Sequence, residues 1–318
     1  MPRRTAPVEG DTLGQKLVAA LILRSLRLSR RAGLRGDSPV GRQRRLIRTL
    51  AKATIVPGAS TFAPGSVGGV PGEWAAPRSG QQSERRIVLY LHGGAYCIGS
   101  PATHRALTGR LALASSARVL ALDYRLAPEH PFPAALEDAC AAYDGLLASG
   151  SQPADIVIAG DSAGGGLSVA TALRLRSLGR PPPAALLLFC PWADLRPRQS
   201  AAGLSATDEF PRDWITRDWT NACADMYLSG HDPTDPYASP LHGELAGLPP
   251  TLIQVGGDDT LREDAERLHA RMRAAGVDVC LSVYPRRWHD FQLHGGLLRD
   301  AHRAVDEAAA HVRAHACR

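Results

Sequence analysis

Lysine, paired cysteines and long apolar runs are scarce or missing in this sequence of 318 residues. Lysine occurs only as Lys16 and Lys52, so arginine carries nearly all the positive charge, and we read no function into that bias. The six cysteines stand singly with no C-x-x-C pair, which argues against a zinc site and a disulfide framework. No run reaches the ~18 apolar residues that a membrane-spanning helix needs. These absences predict a cytoplasmic protein without a zinc site.

The N-terminal arm carries an excess of positive charge. Residues 1–52 contain 13 Lys and Arg against 3 Asp and Glu, whereas the whole chain has a net charge of only +6. Leu17, Leu21 and Leu28 fall near one helical face, and arginines follow them where a secretory signal would have a cleavage site. Two interpretations stay open: helices that lie over the active site, or a basic helix that touches membrane or nucleic acid. We favour the first, expect no nucleic-acid partner, and keep weak membrane contact and a homodimer as alternatives.

From residue 86 onward, short apolar runs alternate with stretches of helical spacing. An apolar content of 44% and a length of 318 residues suit a soluble globular protein with a full core. The predicted strands cover residues 87–91, 119–122, 156–159, 185–190, 251–255 and 277–284, and the predicted helices cover 102–115, 132–147, 167–173, 261–274 and 297–314. This alternation predicts one α/β domain over 1–318, with a mostly parallel sheet and helices on both faces.

A serine lies at one of the strand-to-helix turns. The motif Gly160-Asp161-Ser162-Ala163-Gly164 is a G-x-S-x-G sequence between an apolar run and a helix-type pattern. Such a turn holds its serine in a strained, exposed conformation at a helix N-terminus that favours negative charge. A glycine-rich turn with no chemistry is the alternative for the motif alone. The strand before it and the helix after it favour Ser162 as a nucleophile.

Two glycines directly follow the first buried strand, in His92-Gly93-Gly94-Ala95. Consecutive backbone N–H groups there can point into one cavity, which suits an anionic oxygen. In isolation the pair would be read as a plain turn. Together with the serine turn, it predicts an oxyanion hole whose donors are the N–H groups of Gly93, Gly94 and Ala163.

A serine nucleophile needs a base, and the base needs a group to orient it. His289 lies in the loop after the strand that ends at Tyr284, where a parallel sheet presents its reactive groups, and His294 is its near rival. Asp258 and Asp259 follow the end of another strand. The chain order Ser, Asp, His is that of α/β-hydrolases. The residues alone leave the two aspartates as alternatives.

Several motifs together resemble the bacterial hormone-sensitive-lipase family of α/β-hydrolases. They span about residues 86 to 295 and comprise His92-Gly93-Gly94-Ala95, the run YRLAPEHPFPAALED from Tyr124 to Asp138, Gly160-Asp161-Ser162-Ala163-Gly164-Gly165, Pro191-Trp192-Ala193-Asp194-Leu195 and Leu248-Pro249-Pro250. In this family the acidic residue of the triad often begins the sequence Asp-Pro-Leu, whereas this chain has Asp258-Asp259-Thr260-Leu261 at the corresponding place. Counting back from Leu261 puts Asp259 on the family's aspartate.

The resemblance implies an eight-stranded, mostly parallel sheet in the α/β-hydrolase fold. It also implies a helical cap, here residues 1–50 and 196–235, and activity on carboxylic esters of short to medium acyl chains without metal or organic cofactor. Glu129 and Asp138 are expected to hold loops, and Asp161 to support the serine turn by hydrogen bonding. The side chains expected to shape the substrate pocket are the leucines of the arm and the aromatics Trp192, Phe210, Trp214, Trp219 and Tyr227, with plain packing in the cap as the alternative for the aromatics.

We therefore interpret the chain as a carboxylic ester hydrolase. Ser162 attacks the carbonyl carbon, His289 transfers the proton, and Asp259 orients the imidazole. Hydrolysis of amides, thioesters or lipids by the same triad is an alternative, because the triad does not identify the leaving group. A non-catalytic ligand-binding module on this fold is a further alternative. The presence of serine, acid and histidine together argues against it.

Overall fold

The sheet runs through the centre of the molecule and sets the position of every loop discussed below. The computed structural model describes residues 4–5, 12–80, 83, 85–197 and 213–317. Its strands are β1 (Arg4–Thr5), β2 (Ser60–Val67), β3 (Val70–Pro77), β4 (Ile87–Leu91), β5 (Arg118–Leu122), β6 (Ile156–Asp161), β7 (Ala185–Phe189), β8 (Thr251–Gly256) and β9 (Val279–Tyr284). They form one sheet in the order β1-β9-β8-β7-β6-β4-β5-β3-β2.

Along the sheet, every pair of neighbouring strands from β9 to β5 is parallel. The two antiparallel pairs are β2 with β3 and β3 with β5, so β3 alone runs in the opposite direction. The predicted eight-stranded, mostly parallel sheet is confirmed. A ninth, two-residue strand (β1) extends it by pairing in parallel with β9.

Eight helices of the described residues surround the sheet. They are α1 (Leu13–Gly33), α2 (Val40–Ala51), α3 (Arg105–Ser115), α4 (Ala134–Ala148), α5 (Ala163–Ser177), α6 (Arg217–Leu228), α7 (Arg262–Ala274) and α8 (Arg299–His315). The five helices predicted after residue 86 appear as α3, α4, α5, α7 and α8. The basic arm folds into α1 and α2, and α6 lies in a segment that the sequence pattern left irregular.

Helices cover both faces of the sheet because the central strands bury both of theirs. In β4, Leu89 and Leu91 belong to one apolar core, whereas Val88 and Tyr90 belong to the other. The first core takes in side chains of α4, α5 and α7, and the second takes in side chains of α3 and α8. Side chains alternate along a strand, so a strand buried on both faces is apolar throughout.

The carboxyl ends of the parallel strands meet along one edge of the sheet. The loops after β4, β6, β8 and β9 leave from this edge, and these are the loops that hold the predicted site residues. None of the six cysteines, all of which are described, forms a disulfide. Within the described ranges, no helix has the length and apolar content needed to cross a bilayer.

Candidate active site

The turn between β6 and α5 holds Ser162 in a strained conformation. Its φ of 53° and ψ of −121° lie in a region that residues with a side chain rarely adopt. Gly164 makes the bend possible, because a Cβ there would collide with the carbonyl oxygen of Leu91. The hydroxyl consequently stands at the N-terminus of α5, as the motif predicted.

Two hydrogen bonds connect Ser162 to a carboxylate through His289. The hydroxyl Oγ of Ser162 lies 2.9 Å from Nε2 of His289, and Nδ1 of the same ring lies 3.0 Å from Oδ1 of Asp259. All three side chains are buried. The structure therefore brings together the three residues predicted as nucleophile, base and orienting acid.

The start of α7 decides which aspartate reaches the imidazole. The backbone N–H of Leu261 donates to Oδ1 of Asp259 at 2.7 Å, so the loop is fixed with this carboxylate turned inward toward His289. The preceding residue, Asp258, is half-buried, and its backbone N–H donates to the carbonyl of Arg287. The register inferred from Leu261 matches this geometry.

The glycine turn after β4 differs from the prediction at one position. The N–H of Gly93 donates to Oδ1 of Asp161 at 2.9 Å, so this donor is already engaged inside the protein. Gly93 was expected among the oxyanion donors, and that expectation is wrong on this geometry. Within the described chain, the N–H groups of Gly94, Ala95 and Ala163 donate to no protein acceptor. Gly94 and Ala95 continue the turn with φ of 121° and 52°.

Asp161 stabilises this turn by hydrogen bonding. Besides the Gly93 amide, its carboxylate accepts from the Tyr90 hydroxyl at 2.5 Å and lies 3.3 Å from Nε2 of His104. Burial alone would raise the pKa of Asp161, but the His104 charge and these hydrogen bonds lower it to about 2. The same pairing raises the pKa of His104 against the effect of its burial. This buried pair connects the glycine turn after β4 to the turn that holds Ser162.

Two further carboxylates, which the sequence did not reveal, surround His289. Oδ2 of Asp290 lies 3.2 Å from Nε2, the nitrogen that also faces Ser162, and its other oxygen has no hydrogen-bond partner. The Asp213 carboxylate accepts hydrogen bonds from the backbone N–H of His289 at 3.1 Å and from the backbone N–H of Thr260 at 2.7 Å. The sequence offered one signal for Asp290, its adjacency to His289, and none for Asp213.

These carboxylates shift the titration of the whole cluster. Burial would lower the pKa of His289, but the charges on Asp290 and Asp259 raise it well above its ordinary value. Burial raises the pKa of Asp290 to about 7 and that of Asp213 to about 6. The imidazole is therefore stabilised in its charged form.

A pocket of about 750 Å³, its open mouth included, lies above this cluster. Ser162, His289 and Asp290 line its base. Part of its walls comes from α1, from α2 and the turn after it, and from the residues around the start of α6, with Leu26, Ile47, Leu50, Ala51, Thr54, Trp214, Ile215 and Trp219. Of the aromatics expected to shape it, Trp214 and Trp219 do so. Trp192 and Tyr227 are buried elsewhere in the core, and Phe210 lies outside the described residues.

Among the described residues, one group of three could hold a metal ion: Cys190, His289 and Asp290, whose ligand atoms lie within 4.8 Å of one another. Two features oppose its use. Burial raises the pKa of the Cys190 thiol well above its ordinary value, whereas metal binding needs the thiolate. An ion on Nε2 of His289 would also displace the contact with Ser162.

Comparisons with known proteins agree with this fold. A family model described as alpha/beta hydrolase fold matches residues 88–293. The crystal structure of an esterase from the bacterial hormone-sensitive lipase family superposes with a TM-score of 0.85 at 38% identity, covering 94% of this chain and 98% of that one. The chain belongs to the bacterial hormone-sensitive-lipase family of α/β-hydrolases.

Relatives in this family are named for ester chemistry. A putative acetyl-hydrolase of Mycobacterium tuberculosis, LipR, is 38% identical over 305 residues, which is 95% of each chain. An acetyl-hydrolase of Streptomyces hygroscopicus is 44% identical over 250 residues, covering 78% of this chain and 81% of that protein. The family membership predicted from the motifs is confirmed, and residues 88–293 include Ser162, Asp259 and His289.

Proposed function

We propose that this member of the family hydrolyses carboxylic esters, with Ser162 as nucleophile, His289 as general base and Asp259 as the group that orients the imidazole. The observation that carries the proposal is the line of two hydrogen bonds from Ser162 through His289 to Asp259 at the base of a pocket. The names of the relatives, acetyl-hydrolase and esterase, support the reaction class.

The reaction proceeds in two halves. Oγ of Ser162 attacks the ester carbonyl carbon while its proton moves to Nε2 of His289. The tetrahedral intermediate then collapses: its bond to the alkoxy oxygen breaks, and the imidazolium proton goes to that oxygen, which releases the alcohol. In the second half, water loses a proton to the same nitrogen and attacks the acyl-serine. Collapse returns the proton to Oγ and releases the carboxylic acid.

The negative oxygen of each intermediate needs fixed donors. We assign this role to the N–H groups of Gly94, Ala95 and Ala163, and not to that of Gly93. Ala163 opens α5, where the helix dipole also favours negative charge. Asp161 contributes indirectly, because its hydrogen bond to Gly93 fixes the turn that presents the next two amides.

The acyl chain is proposed to be short to medium in length. The apolar walls of the pocket suit a hydrocarbon chain, and the acetyl-hydrolase names of two relatives support a short one. We further propose that residues 1–50 and 196–235 act as a cap, because α1, α2 and the residue pair Trp214 and Ile215 supply much of the lining. Residues 198–212 of that second segment lie outside the described residues.

The same residues could cleave amides or thioesters, and no feature of the site favours either over an ester. A binding module without catalysis is disfavoured, because it would have no use for Ser162 held in a strained conformation beside His289.

A cytoplasmic location is also part of the proposal. Its support is that the described chain has six cysteines and no disulfide.

The test is a rate comparison across acyl donors. Purified protein is assayed with p-nitrophenyl acetate, butyrate, octanoate and palmitate, and with the matched butyryl thioester and p-nitroanilide. We expect the highest kcat/KM among the acetate, butyrate and octanoate esters and a much lower value for the anilide. Faster cleavage of the thioester or anilide, or no ester turnover above that of Ser162→Ala, would overturn the proposal.

A further inference from the structure

The outward face of α1 presents a row of leucines to solvent. Leu13, Leu17, Leu21 and Leu28 are 74%, 58%, 68% and 55% exposed. At 3.6 residues per turn, all four point within an arc of about 80°. The helix therefore has an apolar stripe on the side opposite to the one that packs against the protein.

Exposed apolar side chains concentrate around this stripe. Eight large hydrophobic residues in the described chain are highly exposed, and seven of them lie on α1, directly after α2, or at Leu297. Contacts join these places: Nε2 of Gln15 donates to the carbonyl of Leu297 at 3.3 Å, and Ile55 lies against Gly296. We call this set the α1 patch: Leu13, Leu17, Leu21, Leu28, Ile55, Val56 and Leu297. An apolar patch of this kind on a soluble protein marks an interaction site.

Positive charge accompanies the α1 patch. The sequence of α1 contains Lys16 and four arginines and neither aspartate nor glutamate. Arg24 and Arg31 are exposed and fall within the same arc as the leucines. A second copy of the chain docked about a two-fold axis would place these like charges in one interface, which opposes association. An anionic surface with an apolar interior complements both the arginines and the leucines.

The opposite face of α1 leads to the active site. Ala19 packs in a cluster with Trp288 and Phe291, which flank His289 on either side in the chain, and Leu26 lines the pocket itself. One helix, about 10 Å across, thus separates the α1 patch from the pocket.

We propose that the α1 patch docks on an anionic lipid surface. The leucines enter the boundary between headgroups and acyl chains, and Arg24 and Arg31 pair with lipid phosphates, so that α1 lies in the plane of the membrane without crossing it. This contact places the pocket next to a source of apolar esters. The inference about substrate supply rests on the proposed function, whereas the docking itself does not.

Binding is measured without turnover, using the full chain carrying Ser162→Ala. The protein is sedimented with vesicles of phosphatidylcholine alone and of phosphatidylcholine with phosphatidylglycerol. We expect stronger binding to the anionic vesicles, weakening as salt is raised because the charges are screened. Replacing Arg24 and Arg31 by Gln should weaken binding about tenfold or more. Equal binding to both vesicle types, or none to either, would overturn the proposal.

A second variant tests the apolar half of the surface. Serine at Leu13, Leu17 and Leu21 should abolish most vesicle binding. The matched control is Leu178→Ser, because Leu178 is the exposed large hydrophobic of the described chain outside the α1 patch. If the triple variant fails to fold by circular dichroism, the arginine variant decides alone.

A charge control and two further readouts complete the design. Arg273→Gln removes an exposed arginine from α7 and should leave binding unchanged. In the Ser162-containing protein, the same surface variants should hydrolyse p-nitrophenyl butyrate at the normal rate, which separates a failure of docking from a failure of the proposed reaction. The oligomeric state is measured by sedimentation equilibrium. A dimer in the parent protein that becomes a monomer in the triple leucine variant would assign the α1 patch to a second copy and overturn the lipid proposal.

Discussion

At the scale of single residues, His289 is held by a carboxylate at each ring nitrogen. Asp259 lies at Nδ1 and Asp290 at Nε2, at 3.0 and 3.2 Å. In the proposed mechanism, the first contact orients the ring, whereas the second competes with Ser162 for the nitrogen that must accept its proton. Cys190, Asp161 and Asp213 are the other titratable groups near this pair. Asp290 therefore stabilises the imidazolium, which cannot act as a base.

This arrangement predicts an alkaline pH profile and a way to move it. His289 must be neutral to accept the proton, so kcat/KM rises with pH through its raised pKa. In Asp290→Asn the negative charge is removed at constant size, and the acidic limb should move to lower pH by about one to three units. The profile is recorded for both proteins with p-nitrophenyl acetate. A lower rate with an unmoved limb would mean that Asp290 only supports the loop.

The adjacent pair Asp258 and Asp259 offers a matched test of the orienting acid. Asp259→Asn should favour the wrong imidazole tautomer and lower kcat by about 10⁴. Asp258→Asn changes the same charge one residue away and should cost little, because the carboxylate at Nδ1 is that of Asp259. Both are measured by steady-state kinetics on one short ester. A large loss at Asp258 with normal activity at Asp259 would reverse the assignment.

The sequence pointed to most of the site at this scale. The strained turn followed from Gly160 and Gly164, and the register of Asp259 followed from Leu261. The Gly93 donor was wrong because its N–H is taken by a side chain that the glycine motif does not mention, that of Asp161. Asp213 comes to the imidazole from an irregular segment, and no local pattern predicts such a contact.

At the scale of elements, Arg44 is one of the side chains that tether α2 to the core. Arg44 donates to the carbonyls of Cys97 and Ala127, both at 2.9 Å, and to both oxygens of Glu129. The Glu129 side chain is largely exposed, so the ion pair contributes little, whereas the two bonds to backbone carbonyls are partly buried. This contact matters to the site because α2 supplies pocket walls such as Ile47.

Removing the Arg44 contacts should weaken substrate binding more than it slows the chemical step. Arg44→Met keeps the length of the side chain but leaves the carbonyls of Cys97 and Ala127 unpaired. This loss should lower the free energy of unfolding by about 1–3 kcal/mol. We expect a lower melting temperature and a KM raised several-fold, with kcat changed less. Glu129→Gln removes only the exposed ion pair and should cost about 0–1 kcal/mol. Thermal unfolding and steady-state kinetics check both, and equal effects of the two variants would contradict the tether.

Elements with a clear period were predictable, and irregular ones were not. The buried strands stood out as apolar runs, and α3, α4, α7 and α8 had helical spacing between them. In contrast, the sequence leading to α6 has no clear period, and the start of this helix is fixed by a cap in which the Thr216 side chain accepts from the backbone N–H of Trp219. Its packing against the buried Gln43 of α2 is a tertiary contact, with Nε1 of Trp219 donating to Oε1 at 2.7 Å.

At the scale of the whole molecule, the sheet order assembles the site from distant parts of the chain. Ser162 and His289 are 127 residues apart in sequence and hydrogen-bonded in space. The alternation of strands and helices predicted a parallel sheet, but it did not predict which strands are neighbours. The order β9-β8-β7-β6-β4-β5 depends on crossovers that no local pattern encodes, and the family resemblance was used only for the number of strands and their mostly parallel pairing.

The most direct test of the central claim, that Ser162 is the nucleophile activated by His289, is active-site labelling. The protein is treated with a fluorophosphonate, digested, and mapped by mass spectrometry while ester hydrolysis is followed in parallel. We predict one label per chain, on Ser162, with activity lost in proportion to labelling. Ser162→Ala should take no label and lose about 10⁶ in kcat where the triad acts as a unit. Labelling of another serine, or near-normal turnover by the folded variant, would contradict the account.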